Sequence, residues 1–249
     1  MKQLIAFDLD GTLAQSKQPI EPDMADLLAD LLDVAAVSII SGGDWPQFQT
    51  QVVARLPRRA RLERLFIMPT TGTKLYCFQD GDWHCIYADS FDAAEREKIV
   101  RALDDAVTQA GLADQQVWGE KIEDRGTQIT FSGLGQQAPL AAKQAWDPDF
   151  AKRRKLQSIL RTMLPDLSIN VGGSTSIDVT RKGIDKAYAV RRLIAQSGIG
   201  GEDILFLGDA IYPGGNDDPV RAAGYDTIAI RDVAETMNVV RGIIYCLRS

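Results

Sequence analysis

Short apolar runs of four or five residues recur along the chain, separated by stretches whose apolar residues return every three or four positions. Residues 4–7, 37–40, 65–68, 204–207 and 227–230 are the runs, and their length and uniform apolarity predict buried parallel strands. Between the first two, Pro22 opens a segment with Met24, Leu27, Leu28, Leu31 and Leu32 on one face, which predicts an amphipathic helix. A second helix is expected over 44–55, with Asp44 as cap and Pro46 in its first turn. A third is expected from 185 to 197, stopped by Gly198. Strands alternating with helices predict a parallel sheet covered on both faces.

The pattern changes in the middle. Residues 74–78 and 83–87, joined around Asp80-Gly81, read as a hairpin. A helix over 91–109, a strand over 128–131, a helix over 148–164 and strands over 168–171 and 176–179 follow. The expected fold class is therefore α/β: a Rossmann-like core with a parallel sheet, plus an inserted α+β cap domain. The core is expected over 1–86 and 181–249, and the insert over 87–180.

Composition adds exclusions. With 45% hydrophobic and 25% charged residues in 249, the chain has ordinary globular composition. Its net charge of −6 argues against a general nucleic-acid binder. The start carries no leader pattern and no 18-residue apolar stretch occurs, so neither secretion nor a membrane partner is expected. Three cysteines without a C-x-x-C spacing fit a reducing compartment, the cytoplasm. A single histidine, His84, excludes a His-rich zinc site and leaves the chemistry to carboxylates, lysine and serine.

Four segments carry candidate chemistry. In "FDLDGTL" the first apolar run ends on Asp8 and Asp10, adjacent like charges that are costly to desolvate unless a cation or a reaction uses them. One carboxylate can accept a phosphoryl group and its neighbour can exchange a proton; taken alone, the motif favours a capped turn with solvated aspartates. "SIISGGDW" places Ser41 at a strand end, with Gly42 letting the backbone approach a ligand before a helix N-terminus, a suitable seat for phosphate or simply a tight turn. "FLGDAIYPGGNDD" brings Asp209, Asn216 and Asp217 to a loop after another strand, hard oxygen ligands suited to Mg²⁺. "GIDKAYAV" puts Lys186 early in a helix, where it could offset the aspartates or lie on the surface.

Together, in this order, the four segments resemble the haloacid dehalogenase superfamily of Mg²⁺-dependent phosphotransferases. The resemblance implies that Asp8 is the nucleophile and Asp10 the acid/base, with the Asp10 backbone carbonyl on the metal. It implies phosphate contacts from Ser41 and Lys186, and Mg²⁺ ligation by Asp8, Asp10, Asp209, Asn216 and Asp217. A large insert between the Ser and Lys motifs resembles the type IIB branch. Within that branch "SGGDWPQFQTQ", "RGTQITF", "GGSTSIDV" and "GDAIYPGGNDD" are similar to eukaryotic-type phosphomannomutases. By that match Arg125, Ser176 and Asp178 would lie near a phosphosugar. The chain departs from the mutase pattern at Ser132 and across "APLAAKQAWDP", where arginines are expected and only Lys143 is near. Such arginines would fork a sugar's distal phosphate. Their loss makes hydrolysis of a small phosphorylated substrate the expected activity, ahead of a phosphohexomutase or a non-catalytic phosphosugar binder. At most a homodimer is expected as assembly. The run Lys152–Lys155 reads as a solvated helix face. The tryptophans, His84 and the cysteine pair Cys77 and Cys85 read as structural.

Overall fold

The computed structural model describes residues 1–172 and 174–248; Gly173, in the GGSTSIDV segment, lies outside the described residues. The chain forms two compact units, Met1–Ala88 with Ile184–Ser249, and Asp89–Gly183, where the sequence pattern placed the limits at 87 and 180.

The larger unit is built on a seven-stranded sheet. Its parallel strands are β1 (Leu4–Phe7), β2 (Ala36–Ile40), β3 (Leu65–Met68), β10 (Ile204–Gly208) and β11 (Asp226–Ala229). The hairpin strands β4 (Lys74–Gln79) and β5 (Asp82–Ala88) extend it antiparallel, giving the order β11-β10-β1-β2-β3-β4-β5. β1 is central and wholly buried, paired on one side with β10 and on the other with β2. One face packs on α1 (Pro22–Val34) and α9 (Val233–Arg248) through Met24, Leu28, Leu31, Val240 and Ile244. The other packs on α7 (Lys186–Ser197) through Ala189, Val190 and Leu193.

Local signals explain these helices. Asp185 caps α7 by accepting from the Tyr188 N–H at 2.7 Å, and Gly198 ends it in the left-handed conformation at φ 72°. The helix expected over 44–55 is shorter: α2 (Trp45–Gln51) gives way to a 3₁₀ turn, Val53–Arg55. The sequence pattern assigned nothing after residue 230, yet α9 runs for four turns, and α8 (Asp218–Ala222) follows β10's loop. Between β3 and β4 lies a tight turn, α3 (Pro69–Gly72).

The smaller unit is a four-stranded antiparallel sheet, β6 (Ile122–Asp124), β7 (Ile129–Ser132), β9 (Ser176–Arg181) and β8 (Leu167–Val171) in that order. Ile129, Phe131, Ile177 and Val179 point to one face and pack with α4 (Ala93–Ala110) and α6 (Ala151–Met163). A capping box between Asp92 and Glu95 starts α4. A short helix α5 (Leu140–Trp146) precedes α6. The run Lys152–Lys155 is a solvated face at Arg154 and Lys155 but not at Arg153. Arg153 is 3% exposed, and its Nε donates to Asp147 at 2.7 Å. Lys152 and Lys155 donate to the carbonyls of Trp146 and Ala110.

Candidate active site

The carboxyl ends of β1, β2 and β10 lie side by side, because these strands are parallel neighbours; in such sheets ligands gather at that edge. Asp8 follows β1 directly, and its N–H continues the ladder to the Leu207 carbonyl at 3.0 Å. Asp209 follows β10, and Asp217 ends the loop beyond it. One carboxylate oxygen from each of Asp8, Asp209 and Asp217 lies within 4.8 Å of the others. Glycines make room for this. A side chain at Gly11 (φ 94°) would fall on the Asp209 carboxylate, and one at Gly208 on that of Asp217. Asp217 is held by the Ala210 N–H at 3.0 Å.

Lys186, the first residue of α7, is 2% exposed; its ammonium donates to Asp8 at 2.5 Å and also to Asp217. Burial pulls its pKa down, but the charges of Asp8 and Asp217 outweigh this and leave it raised. Asp8 moves the other way from an ordinary carboxylate. Burial pushes it from 3.8 to about 6, against the attraction of Lys186 and with the repulsion of Asp217. Asp209 is also raised, first by burial and then by Asp217.

These side chains fit a hard divalent cation. Three carboxylates cluster where one ammonium meets two of them, Asp8 and Asp217, and among the described residues Asp209 has no ion-pair partner. Oxygen donors of that charge are the ligands Mg²⁺ takes.

Asp10 stands apart from the three. Its Oδ1 accepts from the Lys17 N–H at 2.6 Å, inside a turn closed by the Gly11 N–H to Ala14 carbonyl bond. Asn216 is exposed on the loop before Asp217. Ser41 is buried at the end of β2, with Gly42 exposed beside it. At the N-terminus of α2, Asp44 accepts from the Trp45 N–H at 2.7 Å and pairs with Lys74 at 2.6 Å.

In the smaller unit, Ser176 and Asp178 stand opposite Ser132 and Thr130 on the face of the sheet away from the helices. Asp178 accepts from the Thr130 hydroxyl at 2.8 Å, and Arg125 pairs with Glu123 at 2.8 Å. Burial, ahead of the lowering effects of Thr130 and Arg125, raises Asp178. Ser132, where the mutase pattern has arginine, spends its hydroxyl on the Gly135 carbonyl and Thr175. Lys143 donates to the Gln136 carbonyl at 3.0 Å. Sequence reasoning missed the α3 turn beside Ser41, where Thr70 and Thr71 take left-handed backbone angles.

A family model for haloacid dehalogenase-like hydrolases matches residues 5–212. A phosphomannomutase of Dendrobium officinale is 27% identical over 247 residues, covering 93% of this chain and 91% of its own. One of Schizosaccharomyces pombe is 28% identical, covering 87% of this chain and 84% of its own. Among solved structures, Plasmodium falciparum IMP-nucleotidase superposes with a TM-score of 0.75 at 15% identity, covering 99% of this chain and 69% of that one. A haloacid dehalogenase-like hydrolase from Bacteroides thetaiotaomicron superposes at 0.64 and 15% identity, covering 98% and 100%.

Proposed function

The chain belongs to the haloacid dehalogenase-like hydrolases, and from that premise we propose that it is a Mg²⁺-dependent phosphatase acting on a small phosphorylated metabolite, a sugar phosphate. The observation that carries the reading is Asp8, buried against Lys186 and beside Asp209 and Asp217. Nothing in folding favours such a cluster, and in-line phosphoryl transfer uses each member.

Asp8 attacks phosphorus through a carboxylate oxygen, and the bond to the ester oxygen breaks. Asp10, protonated at the start, gives its proton to that leaving oxygen. The Lys17 N–H occupies Oδ1 of Asp10, which leaves the other oxygen for this transfer. Water then attacks the aspartyl-phosphate, passes a proton to Asp10, and phosphate leaves with the Asp8 carboxylate restored. Ser41 and Lys186 bind phosphoryl oxygens. Asp8, Asp209 and Asp217, with the Asp10 carbonyl and Asn216, would hold Mg²⁺, which when bound supplies Lewis-acid neutralisation of the transferring group.

Hydrolysis is preferred over phosphohexose isomerisation because Ser132 and the stretch around Lys143 offer no arginine fork for a distal phosphate. The relatives named phosphomannomutase support the second reading, a mutase. The polar sheet face with Arg125, Ser176 and Asp178 has the chemistry for sugar hydroxyls. Free cysteines at 77, 85 and 246 suit a cytoplasmic setting; among the described residues no helix is long and apolar enough to cross a membrane.

A panel of hexose phosphates with Mg²⁺, assayed for phosphate release and, with a bisphosphate primer, for isomerisation, tests this. Phosphate release should dominate, chelation should abolish it, and Asp8→Asn should lower it at least ~10³-fold. Isomerisation outpacing release would favour the mutase. Residual Asp8→Asn activity above a tenth of wild type would remove Asp8 as nucleophile.

A further inference from the structure

The α3 turn is strained where it meets Ser41. Thr70 (φ 47°, ψ 46°) and Thr71 (φ 57°, ψ 37°) are consecutive β-branched residues in the left-handed region, which side chains of that shape rarely adopt. Neighbours on three sides hold them there. The Thr70 N–H donates to the Gly43 carbonyl at 2.8 Å and the Thr71 N–H to the Ser41 carbonyl at 2.9 Å. The Thr70 and Thr73 hydroxyls bond each other at 2.6 Å. Gly72 lies so close to α7 that a Cβ there would sit 2.7 Å from the Ala189 Cα. The turn cannot relax without displacing the Ser41 loop or the helix that begins at Lys186. Strain kept in this way marks functional segments.

What the strain delivers is one hydroxyl. Thr70 and Thr73 engage each other, but among the described residues the Thr71 hydroxyl has no hydrogen-bond partner within the protein. Thr71 is half-buried, and, among the described residues other than Gly42's chain neighbours, its Oγ1 is the one atom within 4.0 Å of where a Cβ on Gly42 would lie. Gly42 leaves open space beside Ser41, and Thr71 walls it with a donor.

We infer that Thr71 is a further substrate-contacting residue: its hydroxyl donates to an oxygen of the phosphoryl group that Ser41 holds. The inference rests on the assignment of Ser41 and Lys186 to phosphate. Valine keeps the shape and branching of threonine without the hydroxyl, and serine keeps the hydroxyl. Inorganic phosphate binding to the Mg²⁺-loaded full chain is measured by calorimetry for wild type, Thr71→Val, Thr71→Ser and Ser41→Ala, with thermal unfolding of each. Thr71→Val should bind phosphate about tenfold more weakly or worse, as for a lost hydrogen bond to a charged group, at an unchanged Tm. Thr71→Ser should bind within threefold of wild type. Weakened binding in Ser41→Ala with wild-type affinity in Thr71→Val overturns the role of Thr71 alone. Equal weakening in Thr71→Ser and Thr71→Val also overturns it, since shape rather than the hydroxyl would then matter. Wild-type affinity in Ser41→Ala as well, or no phosphate binding by wild type, overturns the site assignment and this inference with it.

Discussion

Asp8→Asn should stabilise the metal-free protein as pH rises, because the folded chain strains to keep Asp8 ionised. Its pKa is raised from 3.8 to about 6, mainly by burial and despite Lys186. A folded-state value above the unfolded one contributes stability that is fully present below about pH 4 and is lost as pH rises through 6. At ~1.4 kcal/mol per pH unit, the span corresponds to about 3 kcal/mol lost by wild type between these limits. Asparagine resembles the neutral acid and undergoes no such loss. In chelator, the stability of Asp8→Asn relative to wild type should therefore climb by about 3 kcal/mol from pH 4 to pH 7.5. In a chain of this size that is roughly 6–12 °C in the unfolding transition of the larger unit. Calorimetric scans at half-unit pH steps read this directly. Saturating Mg²⁺ should shrink the difference, since a cation neutralises the carboxylate that burial penalises. A difference that stays flat across this range would refute the burial argument.

Lys186→Met leaves Asp8 and Asp217 buried without their cation, and should cost about 3–5 kcal/mol in denaturant unfolding at pH 8 in chelator; a cost below 1 kcal/mol would contradict the geometry. Arg153→Met should destabilise the smaller unit by a similar ~3–5 kcal/mol, because Asp147 would remain buried and unpaired. Burial pushes Asp147 up, but the Arg153 hydrogen bond and the backbone N–H groups of Lys152 and Arg153 outweigh it and hold it below the ordinary range. Its contribution is present above pH 3.8 and is lost as pH falls through the lowered value, so the gap between wild type and Asp147→Asn should close in acid unfolding curves. Gly11→Ala should raise the Mg²⁺ needed for half-maximal phosphate release roughly tenfold, the scale for groups that orient metal ligands, since its Cβ would fall on Asp209. An unchanged Mg²⁺ titration would refute that placement.

Much of the core was legible because its signals are local. Apolar runs ending on Asp8 and Asp209 mark strand ends, Asp185 and Gly198 bracket α7, and Asp80-Gly81 makes the hairpin turn. Asp44 reads as a cap, which it is, but its pairing with Lys74, thirty residues on, is not visible in sequence. Arg153 was misread because a basic run looks solvated until Asp147 folds back on it across the Phe150 turn. The Thr70–Thr71 turn gave no signal, since β-branched residues are the wrong ones for the left-handed region. Three-dimensional neighbours impose that conformation. The order of charges at the site was equally hidden: Asp217 is buried against Lys186 whereas Asp209 is exposed, although both stand in one loop motif.

The central position of β1 has a consequence for biosynthesis. Its neighbour β2 emerges from the ribosome soon after it, but β10 comes roughly 200 residues later, about 10–40 s at ordinary elongation rates. Throughout that interval the nascent strand presents an open apolar edge, of the kind that seeds aggregation when left bare. A chain released early, by a stall or a late stop codon, would keep that edge exposed and need a chaperone or a protease. The same order keeps immature chains chemically silent. Lys186 follows Asp8 by 178 residues and Asp217 follows β10, so the charge cluster cannot be complete before that edge is sealed.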